Sequence, residues 1–379
     1  MRSERGRTAI GRAYADGERA RGARGAAAAR VRRAAACVSW LALAIGRPAW
    51  GQPSVPPPAS GNATVVARAD ADAAHDSSRV VSRILRVFVD NDLLALRDTL
   101  MPTDYDYTHG MGAVVQWADA PARLRRWLGD RPGCATAADR AAGCLTSSLG
   151  VRQAIYTPPS NEPFRVPGQR PHAGYLGLVG SVAHVTPWRT RMLQVDAGIT
   201  GRYSLAQPIH EAFHAITGSE RERGWRNQLG TRPTFAARVE DTWQLDADLR
   251  GASARARATW GAQVGTLRTM ALAGAELQLG LDRRRLWTPH DGGRALPLGP
   301  FVVGGLRQEY VARDLFVDGH FGDRSVTAER VAGVWQSTVG FGWRFPGGAA
   351  EYRHVRRGRE YVAQPRPHSF GALVFTWNR

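Results

Sequence analysis

The sequence predicts an all-β fold: an antiparallel transmembrane β-barrel of about twelve strands, with one short helix in an extracellular loop. Three observations carry that reading. Segment after segment alternates apolar and polar residues with the two-residue period of a strand. An apolar run near the N-terminus has the length of an export signal's core rather than of a membrane span. After it no segment reaches the length of a transmembrane helix, so a chain that crosses a membrane must do so as a closed barrel.

Residues 1–51 read as a signal peptide. They hold eleven Arg and three acidic residues, then the apolar stretch 34–45, and Ala49-Trp50-Gly51 offers small residues for cleavage. The Arg-rich stretch is long for such a signal and points to a translation start downstream of Met1. A lipoprotein signal would need an apolar run before Cys37, where Val31-Arg32-Arg33 stand. Residues 52–80, rich in Pro, Ala, Ser and Asp, read as a flexible lead-in, and 81–379 as the barrel.

The clearest strand is 235–249. Phe235, Ala237, Val239, Trp243, Leu245, Ala247 and Leu249 share one face, interrupted by Asp241, while Arg238, Glu240, Thr242, Gln244, Asp246 and Asp248 share the other. Eleven similar segments are 84–92, 107–117, 149–156, 175–183, 191–199, 256–267, 275–281, 301–311, 331–343, 351–355 and 370–377. The even total suits a bacterial barrel, with a lipid side that is apolar and a lumen that is polar. Trp117, Trp188, Trp225, Trp260 and Trp377, near strand ends, fit interfacial girdles. Alternation alone also fits a soluble β-sandwich. The terminal Phe375-Thr376-Trp377-Asn378-Arg379 lacks the final aromatic of an outer-membrane assembly signal, although two aromatics lie close by.

Cys134 and Cys144, the two cysteines left after cleavage, are expected to pair in an oxidising compartment. The segment 205–216 reads instead as a short helix in a long loop. Leu205, Ile209, Phe213 and Ile216 recur at helical spacing, His210 and His214 lie one turn apart, and Gly218 is a C-terminal stop.

Composition narrows the partners. The chain carries a formal charge of +18, all 51 basic residues are Arg, and removal of 1–51 leaves about +10. No basic helix, zinc finger or aromatic nucleic-acid motif accompanies that charge, so nucleic acid is not the expected partner. An exported basic protein meets anionic lipopolysaccharide instead.

Four segments concentrate polar groups that a simple barrel does not need: Val89-Asp90-Asn91-Asp92, the stretch 104–110, Gln169-Arg170-Pro171-His172 with Tyr175, and 210–228. Here, from about residue 85 to the C-terminus, the chain resembles the outer-membrane lipid A 3′-O-deacylase family. The resemblance rests on Asn91-Asp92, Asp106-Tyr107-Thr108, and His214 with Glu220, supported by Ile155-Tyr156-Thr157-Pro158, Arg170-Pro171, Ala173-Gly174, Gly224-Trp225 and Gln228-Leu229. Each string alone is weak; their shared order is specific.

The resemblance implies a monomeric twelve-stranded barrel in the outer membrane of a Gram-negative bacterium. It implies removal of the 3′ acyloxyacyl group of lipid A by calcium-assisted ester hydrolysis, between the outer barrel wall and a loop helix. His214 would be the general base, because a neutral imidazole titrates near working pH. Glu220 would orient that imidazole or help bind the cation. Asp92 would offer calcium a carboxylate and Thr108 a hydroxyl. The cation, with the Asn91 amide, would stabilise the oxyanion.

Two other readings stand beside this one. Where such proteins commonly have Gln, this chain has His210, so His210-Glu211-Ala212-Phe213-His214 forms a zinc-metalloprotease pattern with Glu211 as base. That second imidazole also makes zinc a candidate metal. The third reading is a non-catalytic barrel. Residue by residue, Asn91 and Asp92 also fit an ordinary strand-ending turn, Thr108 a strand position, and His214 and Glu220 an exposed loop.

Overall fold

The computed structural model describes residues 81–96, 105–249, 252–281, 285–291, 295–323 and 325–379. The signal peptide, 1–51, and the lead-in, 52–80, lie outside the described residues. The described chain divides into two compact units: one is residues 209–221, and the other holds the remainder.

In chain order the elements are β1 (Arg83–Asn91), β2 (Asp106–Trp117), α1 (Ala122–Trp127), α2 (Ala137–Ala142), β3 (Cys144–Thr157), β4 (Ala173–Val185) and β5 (Arg189–Thr200). There follow α3 (Ala206–Thr217), β6 (Pro233–Leu249), β7 (Ala252–Gly265), β8 (Arg268–Gly280), β9 (Arg285–Leu286) and β10 (Leu296–Pro297). The last are β11 (Gly299–Asp314), α4 (Leu315–Asp318), β12 (Gly333–Phe345), β13 (Gly348–Arg357) and β14 (His368–Asn378). Among the described residues, twelve antiparallel strands close into an up-and-down barrel, β1 pairing with both β2 and β14. The remaining pair, β9 and β10, forms a separate two-stranded sheet. No described helix is long and apolar enough to cross a membrane, and the crossing is made by strands.

All twelve expected segments fall on barrel strands. The largest boundary difference is β8, which begins at Arg268 rather than 275. Met270 and Leu272 are buried there with Val311 and Val334, so the lumen side is apolar at that level and the alternation disappears from the sequence. In β6 the interruption at Asp241 is accounted for: it pairs with Arg189 and, at 3.4 Å, with Arg191 on the neighbouring strand. A lone carboxylate on a lipid-facing wall is costly, and two guanidinium groups offset it.

Three short connections, the start of β1 and the end of β14 mark the periplasmic end: β4 to β5, β6 to β7 and β12 to β13 all turn there, and at the opposite, extracellular end the described connections are longer except for the tight turn from β7 to β8. Two periplasmic connections are long. One, between β2 and β3, carries α1, α2 and the expected disulfide, Cys134 to Cys144, with Cα atoms 5.0 Å apart. The other carries β9 and β10 into the barrel mouth. Trp287 is fully buried among Ala118, both cysteines, Val185 and Ala295. Arg86 donates to His290 (2.6 Å), Gln116 to the Pro289 carbonyl (2.8 Å) and Arg255 to the Asp291 carbonyl (2.6 Å), which ties the segment to three strands.

Ion pairs bridge non-adjacent strands inside the lumen, Arg353 with Glu276 (2.8 Å) and Arg357 with Glu309 (2.5 Å), while Arg238 with Glu240 and Arg357 with Glu360 (2.8 Å) pair locally. Of the five tryptophans expected in interfacial girdles, Trp188, Trp260 and Trp377 are exposed and Trp117 is half-buried, whereas Trp225 departs from the expectation. Trp225 is buried and its ring centroid lies 5.3 Å from that of His172, so it is packing inside a loop rather than an interfacial anchor.

Candidate functional site

The rim of β1 and β2 is built by one backbone irregularity. The β2–β3 register shifts between Tyr107 and His109, which makes Thr108 the extra residue of a β-bulge. Tyr107 lines the lumenal cavity, so the side chains of Thr108 and then His109 both turn to the outer face of the wall, beside Asn91, which pairs with His109. Asp106 precedes the bulge with φ of +70°, a left-handed conformation that Asp tolerates better than most residues.

Asn91 ties this corner together. Its Oδ1 accepts from the Leu93 amide (2.9 Å) and caps a 3-10 turn, Asp92–Leu94, while its Nδ2 donates to the Thr108 carbonyl (3.1 Å) and to His109 Nδ1 (3.2 Å). Both amide hydrogens are thereby committed. Asn91 positions Thr108 and the Asp92 turn, and would have to give up a bond to donate to an oxyanion. The turn folds over the outside of β14, where a Cβ on Gly371 would meet the Leu94 carbonyl at 2.4 Å; Tyr352 donates to that same carbonyl (2.7 Å). The Thr108 and Thr157 hydroxyls bond at 2.6 Å. Asn91, Asp92, Thr108 and Thr157 are all buried.

An ion-pair chain underlies the bulge. Asp106 accepts from Tyr361 (3.0 Å) and Gln364 (2.7 Å) and lies 3.6 Å from Arg170, which in turn bonds Glu360 at 2.8 Å. Burial alone would raise the pKa of the Glu360 carboxyl. Arg357, Arg170 and Arg268 outweigh it and hold Glu360 well below the carboxylate range. Burial, then the Asp106 charge, raises the Tyr361 hydroxyl, which stays a donor. The sequence marked Asp106 through the Asp106-Tyr107-Thr108 string, but its partners Tyr361, Gln364 and Arg170 were not legible there.

On the outer wall beside this corner, Gln153 donates to the Ser204 carbonyl (2.6 Å), and Gly174 leaves room for Ser204 and Ala206, so the turn before α3 lies on β3 and β4.

The unit 209–221 contains the other candidates. The helix is present over Ala206–Thr217, and Gly218, at φ of +73°, ends it with its amide on the His214 carbonyl (2.8 Å). Its buried stripe is Ala206, His210, His214 and Thr217, whereas Leu205 and Ile216 are exposed. His214 Nδ1 donates to the Glu220 backbone carbonyl, which fixes the neutral ring as the tautomer with its lone pair on Nε2. Glu220 therefore orients His214 through its main chain, and its carboxylate is exposed. The His210 and His214 rings lie 4.1 Å apart, centroid to centroid. Among the described residues no three His, Cys, Asp or Glu side chains converge as a metal cluster.

A closed twelve-stranded barrel with an ion-paired lumen and an apolar, aromatic-edged exterior defines an outer-membrane protein. Residues 59–379 match the family described as "Outer membrane protein LpxR", and the chain belongs to that family. Its fold is similar to that of LpxR from Salmonella typhimurium, at TM-score 0.61 and 20% identity over 79% of this chain and all of that one. The β domain of the Bordetella autotransporter BrkA aligns over 79% of this chain and 99% of its own, at TM-score 0.39 and 13% identity. No curated protein sequence matches the chain.

Proposed function

We propose that this outer-membrane protein is a lipid A deacylase that hydrolyses the ester of the 3′ acyloxyacyl group, with His214 as general base. The observation that carries the reading is the His214 contact: with Nδ1 donating to the Glu220 carbonyl, the lone pair is on Nε2, the atom a base needs. Nε2 takes a proton from water as its oxygen attacks the ester carbonyl. The same nitrogen returns the proton to the departing sugar oxygen as the carbon–oxygen bond breaks. The products are the free acid and a 3′-hydroxyl on lipid A.

The donors around Asn91 suit a hard cation. Asp92 supplies a carboxylate, and Thr108 and Thr157 supply hydroxyl oxygens, with no thiol or thioether among them. Calcium is the metal this set favours, and it would polarise the ester carbonyl. Asn91 contributes by holding Thr108 and the Asp92 turn in place. The protease reading would need a third ligand to join His210 and His214, which the described residues do not bring together. The pore reading fits poorly with ion pairs across the lumen and β9–β10 in its mouth.

The reading is tested with purified protein and lipid A in mixed micelles. Chelation should abolish release of the acyloxyacyl acid, and calcium should restore it better than zinc. Full activity in excess chelator would remove the metal from the mechanism, and rescue by zinc alone would favour the imidazole-ligated alternative.

A further inference from the structure

The connection between β2 and β3 brings α1 back against the outside of the barrel at its periplasmic end. Between helix and wall lies a groove of about 710 Å³, lined by Leu149, Gly180, Leu193 and Val195 on the wall and by Leu124 of α1. Its floor is deep because Gly180 has no side chain: a Cβ there would meet nothing closer than 3.9 Å. Leu149, Leu193 and Val195 remain 51%, 40% and 40% exposed. Apolar surface of this kind on the wall of a barrel is in contact with hydrocarbon.

The lining of the groove includes the Asp119 carboxylate, and the cations lie beside it on α1 and on the wall. On α1, Arg123 and Arg126 are exposed, and Arg125 holds Asp119 at only 3.5 Å with both side chains partly in solvent. Trp127 beside them is 75% exposed, as in an interfacial anchor. On the wall, Arg191 shares the face of Leu193, lies about 6.6 Å further toward the periplasm and is paired with Asp241 at 3.4 Å. An apolar trough therefore lies beside the exposed arginines of α1 at the periplasmic end of the wall. One class of molecule has both halves in that order.

We propose that this groove binds a glycerophospholipid of the periplasmic leaflet, with one acyl chain along Gly180 and the phosphate among the arginines of α1. Charge complementarity selects an anionic lipid, because clustered Arg at a membrane surface attracts such headgroups. The bound lipid would seat α1 and the disulfide-closed connection against the wall. This inference is independent of the proposed hydrolysis, whose Asn91 corner lies at the extracellular end of the wall.

The test uses the full mature protein in detergent, incubated with phosphatidylglycerol in mixed micelles and examined by native mass spectrometry. The wild type should retain one phospholipid per chain. Gly180→Trp, which fills the floor, and the double change Arg123→Glu with Arg126→Glu should each cut retention at least tenfold. Leu306→Trp, on exposed wall across the barrel in β11, should leave it unchanged. Folding of each variant is checked by heat-dependent gel mobility, and Val195→Trp replaces Gly180→Trp if the latter does not assemble. Equal retention in all variants, or loss on charge reversal but not on filling the floor, would overturn the proposal. So would a lipid-free dimer that the tryptophan variants dissociate, since a second copy would then cover the groove.

Discussion

His214 has its Nδ1 hydrogen committed to the Glu220 carbonyl, and Glu211 is the neighbour that a metalloprotease would need as base. The two mechanisms therefore separate by substitution. His214→Ala should leave the barrel assembled and slow deacylation by roughly 10²–10⁴-fold, the usual contribution of a positioned acid–base group. Glu211→Gln should change the rate little. Because Glu220 touches the ring through its main chain, Glu220→Ala keeps that contact and reports on the carboxylate alone. If the carboxylate helps hold the cation, the variant should need more calcium for half-maximal rate; an unchanged calcium dependence would remove it from the cation. At this scale much was legible. Asn91, Asp92, Thr108, His214 and Glu220 stood out because their order resembles a family. The committed Asn91 hydrogens and the Glu220 carbonyl contact could not be read, since side-chain direction and main-chain acceptors leave no trace in residue type.

At the scale of elements, the strands were legible wherever one face meets lipid and the other a polar lumen. The reading failed at the start of β8, where both faces are apolar, and at the Thr108 bulge, which no turn-forming residue announces. It also could not foresee the Arg170–Glu360 pair, whose partners lie 190 residues apart. The β9–β10 segment suggests a pH response. Enclosure by the barrel and the adjoining Arg86 charge lower the His290 pKa well below its ordinary 6.5. A histidine with a lowered folded pKa stabilises the folded state fully above its unfolded value. That contribution fades as pH falls below about 6.5, because the unfolded chain then binds the extra proton. Amide exchange in 285–291, corrected for intrinsic rates, should therefore accelerate below that pH; a flat profile would show that His290 does not hold the segment.

At the scale of the whole molecule, the closed ladder from β1 to β14 leaves no barrel edge unpaired, and its register holds over nearly every strand. Such closure makes unfolding in detergent slow and heat-dependent. The protein should migrate differently on a denaturing gel before and after boiling, and identical mobility would contradict a closed barrel. The barrel carries the Asn91 corner on its outer wall near the extracellular rim, where lipid A resides, and the proposed chemistry depends on that placement. The most direct measurement is a mass spectrum of lipid A from cells lacking the protein, cells producing it, and cells producing His214→Ala. The account predicts a species lighter by one acyloxyacyl group only with the wild-type protein. The same trimmed species with His214→Ala at the wild-type level would contradict the base assignment, and its absence with the wild type under calcium would contradict the function itself.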